Sequence, residues 1–213
     1  MNYNLNKWLK EFSFYKKRIF ISLILLVIAA IANFYFSNYT SKVETSTVND
    51  LILNLIPPID LTPLFILGWW APFFLIFVFP LFARIHKFHE AVYHFSLLVV
   101  VRSIFISLTH LKVPADAIQV SLPKPLNWLY FQNDMFFSGH TAFILIGFFV
   151  FKHEKIKYLF LVLSIIMAFT VLAMHQHYSI DVFAAYFITY GTFKIGEWLR
   201  EKLSKTGIKR YLL

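Results

Sequence analysis

The sequence predicts an all-α integral membrane protein, a six-transmembrane helical bundle with both termini cytoplasmic. Three observations carry that prediction. The 213-residue chain is 59% hydrophobic and only 15% charged, against about 25% charged residues in a soluble domain. Too few polar residues remain to cover a soluble surface. The apolar residues fall into six long blocks, most of them near the roughly 20 residues that cross about 30 Å of hydrocarbon. The basic residues between the blocks alternate in density, as topology set by positive loops requires.

The blocks run approximately 19–37, 63–83, 91–111, 137–151, 157–176 and 180–199. Lys7, Lys10, Lys16, Lys17 and Arg18 precede the first. Arg84 and Lys87 follow the second, and Lys152, Lys155 and Lys157 follow the fourth. Arg200, Lys202, Lys205, Lys209 and Arg210 close the chain. The alternate loops hold only Lys42, Lys112 and Lys124. This divides the chain into a basic cytoplasmic segment 1–18, a six-span domain 19–199 and a basic cytoplasmic tail 200–213. The net charge of +9 is then a topology signal, aided by anionic lipid, and points to no nucleic-acid partner. "AIA" at 30–32 has the small-x-small look of a cleavage site, but the apolar run exceeds the 7–15 residues of a signal core. The first block therefore reads as an uncleaved span. The loop 38–62 holds a glycosylation sequon, Asn38-Tyr39-Thr40, and "VNDLILNLIPPI", read as a short interfacial helix. There is no cysteine, which excludes a disulfide, a thiolate nucleophile and a thiolate metal site.

Titratable groups gather at the outer ends of these blocks. "NDMFFSGHTAF" (133–143) opens the fourth and "HQHYSID" (175–181) joins the fifth to the sixth. An inward and an outward leg separate His140 from His177, so both return to similar depth on one face. Histidine transfers protons near neutral pH. Ser138 reads as an N-cap, with Gly139 allowing an anion to approach the helix start. His177 and Asp181, four apart, meet across one turn. An aspartate on one ring nitrogen leaves the other free as base or nucleophile. Arg102, buried in the third block, is costly in lipid and faces a bundle interior or cavity. It either holds a phosphate bidentately or pairs with Asp116, Asp134 or Asp181. Each motif alone is more often an ordinary capped helix or a solvated pair; their convergence changes the odds. His86, His89, His94 and His153 lie toward the other face, and His110 and His175 are assigned interfacial or supporting roles. His175-Gln176-His177 lacks a third ligand, so no metal site is expected.

On "RSIFISLTHLKVP", "NDMFFSGHT" and "HYSIDVFAAYFIT" the chain resembles the sphingomyelin synthase-like branch of the lipid phosphatase/phosphotransferase (PAP2-like) superfamily, over roughly residues 60–200. The resemblance implies six transmembrane helices and a site on the extracytoplasmic face, whether periplasm, exterior or Golgi lumen. It implies His177 as the nucleophile that takes a phosphoryl group from a phospholipid, Asp181 as its orienting acid, and His140 as the acid that protonates the departing diacylglycerol. Ceramide or diacylglycerol would be the acceptor, with no cofactor and no metal. Arg102, Ser138, Gly139, Lys124 and Asp134 are the candidate substrate- and phosphate-binding residues. The Lys-x6-Arg-Pro motif of the ordinary phosphatases is absent, and Thr170-Val171 stands where they carry an arginine upstream of the last histidine. Gln176 replaces an acid that the synthases often carry there.

Two other functions compete. A lipid phosphate phosphatase would use the same histidines with water as acceptor. A non-enzymatic transporter would need a polar path across the midplane, and outside the motifs the blocks offer little polarity beyond Arg102. The partners expected are a phospholipid donor, a lipid alcohol and the bilayer; the sequence leaves the oligomeric state open.

Overall fold

The computed structural model describes residues 5–120 and 135–205. Lys124 and Asp134 lie outside the described residues. Helix α1 (Leu5–Thr40) leads through a strap containing a 3₁₀ turn (Leu53–Leu55) to α2 (Thr62–Phe73). A π segment (Phe74–Val78) and α3 (Phe79–Ala83) continue the same path. Then come α4 (Ile85–Leu108), α5 (Gly139–Val150), α6 (Lys157–Ala173) and α7 (Ser179–Lys205). Among the described residues there is no strand, only an isolated bridge between Ser46 and Leu111.

Three paths are long and apolar enough to cross a membrane: Leu5–Thr40, Thr62–Ala83 and Ile85–Leu108. Helices α5 and α6 are apolar but shorter, 12 and 17 residues, or about 18 and 26 Å at helical rise. Large apolar side chains face outward around the bundle, among them Phe20 on α1, Phe169 on α6 and Phe187 on α7. An apolar exterior of that extent suits lipid rather than water. The chain is an integral membrane protein.

Several block boundaries shift. The basic segment before the first block is helical from Leu5, and α7 runs through the start of the basic tail to Lys205. The expected loop after Ala83 shrinks to Arg84, whose φ of −153° and ψ of 69° leave the helical region. Block three begins earlier and ends earlier, because residues 109–111 leave the helix to pair with Ser46. Pro72 lies inside α2, where it lacks an N–H and crowds the preceding turn; the ladder widens into the π segment immediately after it. The "VNDLILNLIPPI" stretch, read as a short interfacial helix, is helical only as a three-residue 3₁₀ turn, Leu53–Leu55. The sequon is inside α1, with Thr40 fully buried and its hydroxyl donating to the Ser37 carbonyl, an unreceptive acceptor.

Helix α5 is the hub, touching α2, α4, α6 and α7. Thr141 to Gly147 are all buried, and Phe143 meets Trp69, Phe77 and Phe95 at ring separations of 4.7, 5.9 and 5.5 Å. Helix α1 lies against α4, where the Ser22 hydroxyl donates to the His89 carbonyl. At the end away from the site, Lys87 pairs with Glu90 and Arg84 with Glu154. Lys152 pairs with Glu197 there as well. The basic residues read as topology signals also knit the helices together.

A Cβ on Gly147 would lie 2.7 Å from the Phe160 ring, which is fully buried. Gly147→Ala is expected to destabilise the bundle by about 1–3 kcal/mol through overpacking. A lowered thermal midpoint in detergent, partly recovered by adding Phe160→Leu, is the result to look for.

Candidate active site

Both motifs sit where a helix begins or ends. Ser138 is the N-cap of α5: extended at φ −61° and ψ 109°, it accepts from the Thr141 N–H, as expected of a hydroxyl at that position. The two residues before it, Phe136 and Phe137, have positive φ of 91° and 32°, a conformation costly for bulky residues. Phe137 is fully buried and Phe136 stacks on Phe105 at 5.6 Å, packing that holds the chain in this entry to the helix.

The fifth-to-sixth join is equally determined. Helix α6 ends in a Schellman arrangement, with the Gln176 N–H donating to the Val171 carbonyl and the His175 N–H to Leu172. That geometry puts His175 at φ 54°, where glycine is usual. The remaining end carbonyls are taken up by distant loops: Ala173 accepts from Ile59 N–H and Met174 from Ile118 N–H. The His175 ring, buried, lies 2.9 Å from Asp116, and the Gln176 amide donates to the Ile118 carbonyl. His175 and Gln176 thus anchor the loop after α4 to the end of α6.

His177 Nδ1 is 3.2 Å from Asp181 Oδ2, and the same oxygen accepts the Tyr178 N–H at 3.2 Å. Asp181 therefore caps the start of α7 by reaching back across it while holding the imidazole. Its carboxylate is fully buried, and Oδ1 has no hydrogen-bond partner among the described residues. The Ser138 N–H donates to the Asp181 carbonyl at 2.9 Å, a main-chain bond that locks the two motifs together. Across the gap, the His140 and His177 ring centres are 6.1 Å apart at 62°. His140 Nδ1 is also buried with no partner among the described residues. Arg102 approaches the same place: a Cβ on Gly139 would stand 2.9 Å from its Nε. The side chain lies against the bare glycine backbone, an approach open only to glycine.

Of the residues singled out in the sequence, His140, His177, Asp181, Arg102, Ser138 and Gly139 come together. Phe65 and Trp69 were not singled out, yet their rings meet His140 at 4.5 and 5.2 Å. In the sequence they were ordinary apolar residues of the second block. Asp50 was missed as well, though it is 7% exposed and bonded to Ser179 beside the site. Among the described residues no group of three or more His, Cys, Asp or Glu could hold a metal.

Burial pushes the Asp50 carboxyl up, but N–H groups of Leu53, Ser179 and Ile52 and the Ser179 hydroxyl outweigh it. Its pKa lies below the ordinary 3.8. Contact with His175 likewise lowers Asp116. A carboxyl depressed by folding stabilises fully above its unfolded pKa and loses that contribution as pH falls through the folded value. The strap that holds Asp50 and the loop after α4 are therefore expected to loosen below about pH 4. Amide exchange at Ile52, Leu53 and Ser179, corrected for intrinsic rates, should accelerate there, and Asp50→Ala should remove most of the pH dependence.

Residues 133–198 match the family model described as PAP2 superfamily C-terminal. The chain is 38% identical over 81 residues to sphingomyelin synthase-related protein 1 of Homo sapiens, covering 35% of this chain and 20% of that protein. The Mus musculus protein of the same name is also 38% identical over 81 residues, with 17% of its length covered. The match thus spans about a fifth of these curated relatives. The family-model segment contains the fourth-block and HYSID motifs, α5, α6, the turn between them and most of α7, and over it the chain is similar to the PAP2 superfamily, as it is over 81 residues to these sphingomyelin synthase-related proteins.

Proposed function

We propose that this protein is a membrane lipid phosphotransferase that moves a phospho-head group from a phospholipid to a lipid alcohol such as ceramide or diacylglycerol. The observation that carries the reading is the His177–Asp181 pair facing His140 across 6.1 Å. An Asp181 carboxylate accepting the Nδ1–H leaves the Nε2 lone pair of His177 directed away from it. In the first half-reaction Nε2 attacks phosphorus, the bond from phosphorus to the diacylglycerol oxygen breaks, and His140 gives that oxygen a proton. In the second, His140 takes the proton of the incoming alcohol, whose oxygen attacks phosphorus as the bond to His177 breaks. Arg102 and the N-terminus of α5 offset charge on the phosphoryl oxygens. Lys124 and Asp134 are proposed to contribute to substrate binding. The six blocks are proposed to cross the bilayer as one catalytic domain, 19–199, between basic cytoplasmic ends, with the site extracytoplasmic.

The test uses purified protein in mixed micelles with fluorescent ceramide or diacylglycerol and a panel of phospholipid donors. A new phospholipid product supports transfer. Free phosphate or free phosphorylated head group without lipid product assigns the site to hydrolysis, and no turnover of any donor overturns the enzymatic reading.

Gly139→Ala probes the anion pocket. The added methyl displaces the Arg102 guanidinium, and a misplacement of that size costs about 10²-fold in rate. Helix stability should not suffer, since alanine is the better helix former by about 0.5–1 kcal/mol. Transfer within twofold of wild type would remove Arg102 from the mechanism.

A further inference from the structure

The strap between α1 and α2, residues 41–61, lies over the end of the bundle that holds the site. Several ties fasten it there. Ser46 exchanges main-chain bonds with the His110 carbonyl and the Lys112 N–H. The Val48 N–H donates to the Tyr178 hydroxyl at 3.3 Å, and that hydroxyl donates to the Lys112 carbonyl at 2.9 Å. Asp50 makes the densest contact. Its Oδ1 accepts the N–H groups of Ile52 and Leu53 at 2.9 and 3.1 Å. Its Oδ2 accepts the Ser179 N–H at 2.7 Å and the Ser179 hydroxyl at 2.8 Å.

A carboxylate offers about four lone-pair positions, and all of these are engaged. Two donors belong to the strap and fix the carboxylate to it. The other two belong to the first residue of α7. The opening N–H groups of a helix have no partner within it, and here the acceptor comes from 129 residues away in the chain. Ser179 stands two residues after His177 and two before Asp181. A carboxylate at a helix start is also favoured by the helix dipole. Asp50 and Asp181 thus hold the same turn from opposite sides, one on Ser179 and one on Tyr178.

We propose that Asp50 is a positioning residue: it fixes the first turn of α7 and, through it, the His177–Asp181 pair on which the proposed transfer rests. Its own oxygens are filled by Ser179 and the strap, so it acts on the pair through that turn. Without it the turn frays, and the imidazole loses the fixed aspartate that sets its direction. The effect falls on the rate of phosphoryl transfer and not on lipid binding.

The experiment compares full-length wild type with Asp50→Ala, Asp50→Asn and, as control, Asp60→Ala. Asp60 lies on the same strap but bonds to Thr62 at the start of α2. The first arm needs no activity: amide exchange across 177–182 together with the ¹⁵N spectrum of labelled histidine, which reports the His177 tautomer. Asp50→Ala should exchange at least about tenfold faster at these residues and mix the tautomers, while Asp60→Ala changes neither. The second arm is lipid transfer, where Asp50→Ala should lower kcat about ten- to a hundredfold with KM unchanged. Asp50→Asn, which keeps an acceptor oxygen, should recover part of both effects. Unchanged exchange in Asp50→Ala overturns the proposal. Faster exchange at full kcat also overturns it, reducing Asp50 to a structural tie. If wild type itself turns over no lipid, the phosphotransferase reading fails alone, and the exchange and tautomer result still decides whether Asp50 positions His177.

Discussion

Replacing His177 with alanine is expected to lower lipid phosphoryl transfer by on the order of 10³-fold or more, the scale seen when an enzyme loses its nucleophile. The fold should survive, because the ring's described hydrogen bond is the one to Asp181. Its other described ring contact is His140. The measurement is kcat in mixed micelles beside the thermal midpoint of the same preparation. Wild type quenched in alkali, where phosphohistidine persists, should carry label from a phosphorus-labelled donor, and His177→Ala should not. Residual transfer above a tenth of wild type would place the nucleophile elsewhere.

Asp181→Asn should be nearly as severe, with a loss of about 10³–10⁴-fold, the scale for a triad aspartate made neutral. The side chain keeps its shape, so an oxygen can still take the Tyr178 N–H now bonded at 3.2 Å. What changes is the charge: the same oxygen faces Nδ1, and as a neutral amide it holds the Nδ1–H less firmly and no longer offsets the positive charge that the ring gains as Nε2 attacks. The thermal midpoint should fall little, since the charge at the helix start contributes about 0.3–1 kcal/mol. A near-normal kcat would show that His177 needs no orienting acid.

The parts of this molecule that periodicity and composition announce are the local ones. Helices α1 to α7 fall on the apolar blocks because each satisfies its main chain internally. Ser138 caps α5 because serine before a helical run has an immediate use there. The meeting of His140 with His177 followed from counting two legs and a turn. What escaped depends on residues far apart in the chain. Asp50 sits in a loop with no periodic pattern, and its partner Ser179 is 129 residues away. His175 resembled half of a metal pair until the left-handed end of α6 and the Asp116 contact gave it a place. Phe65 and Trp69 could not be told from lipid-facing aromatics, since only the approach of α2 to α5 turns them toward His140. The break at Arg84 was hidden because the basic residues that mark a membrane face say nothing about where the helix restarts.

On the six-crossing topology proposed above, the brevity of α5 sets how far into the bilayer the proposed chemistry would lie. Its 12 residues run from the polar turn around Lys152–Lys155, which requires water, to the proposed site at His140, a rise of about 18 Å. Hydrocarbon is about 30 Å thick. On the six-crossing topology proposed above, the two histidines stand about 12 Å beneath the opposite interface, a depth obtained from that difference. A lipid substrate then has its phosphate drawn inward past its own glycerol level while its chains remain among other chains. Bulk water has to descend a crevice to reach the same phosphorus. Depth would bias the competition between a neighbouring lipid's hydroxyl and water, a selection made by geometry along the membrane normal instead of by any one side chain.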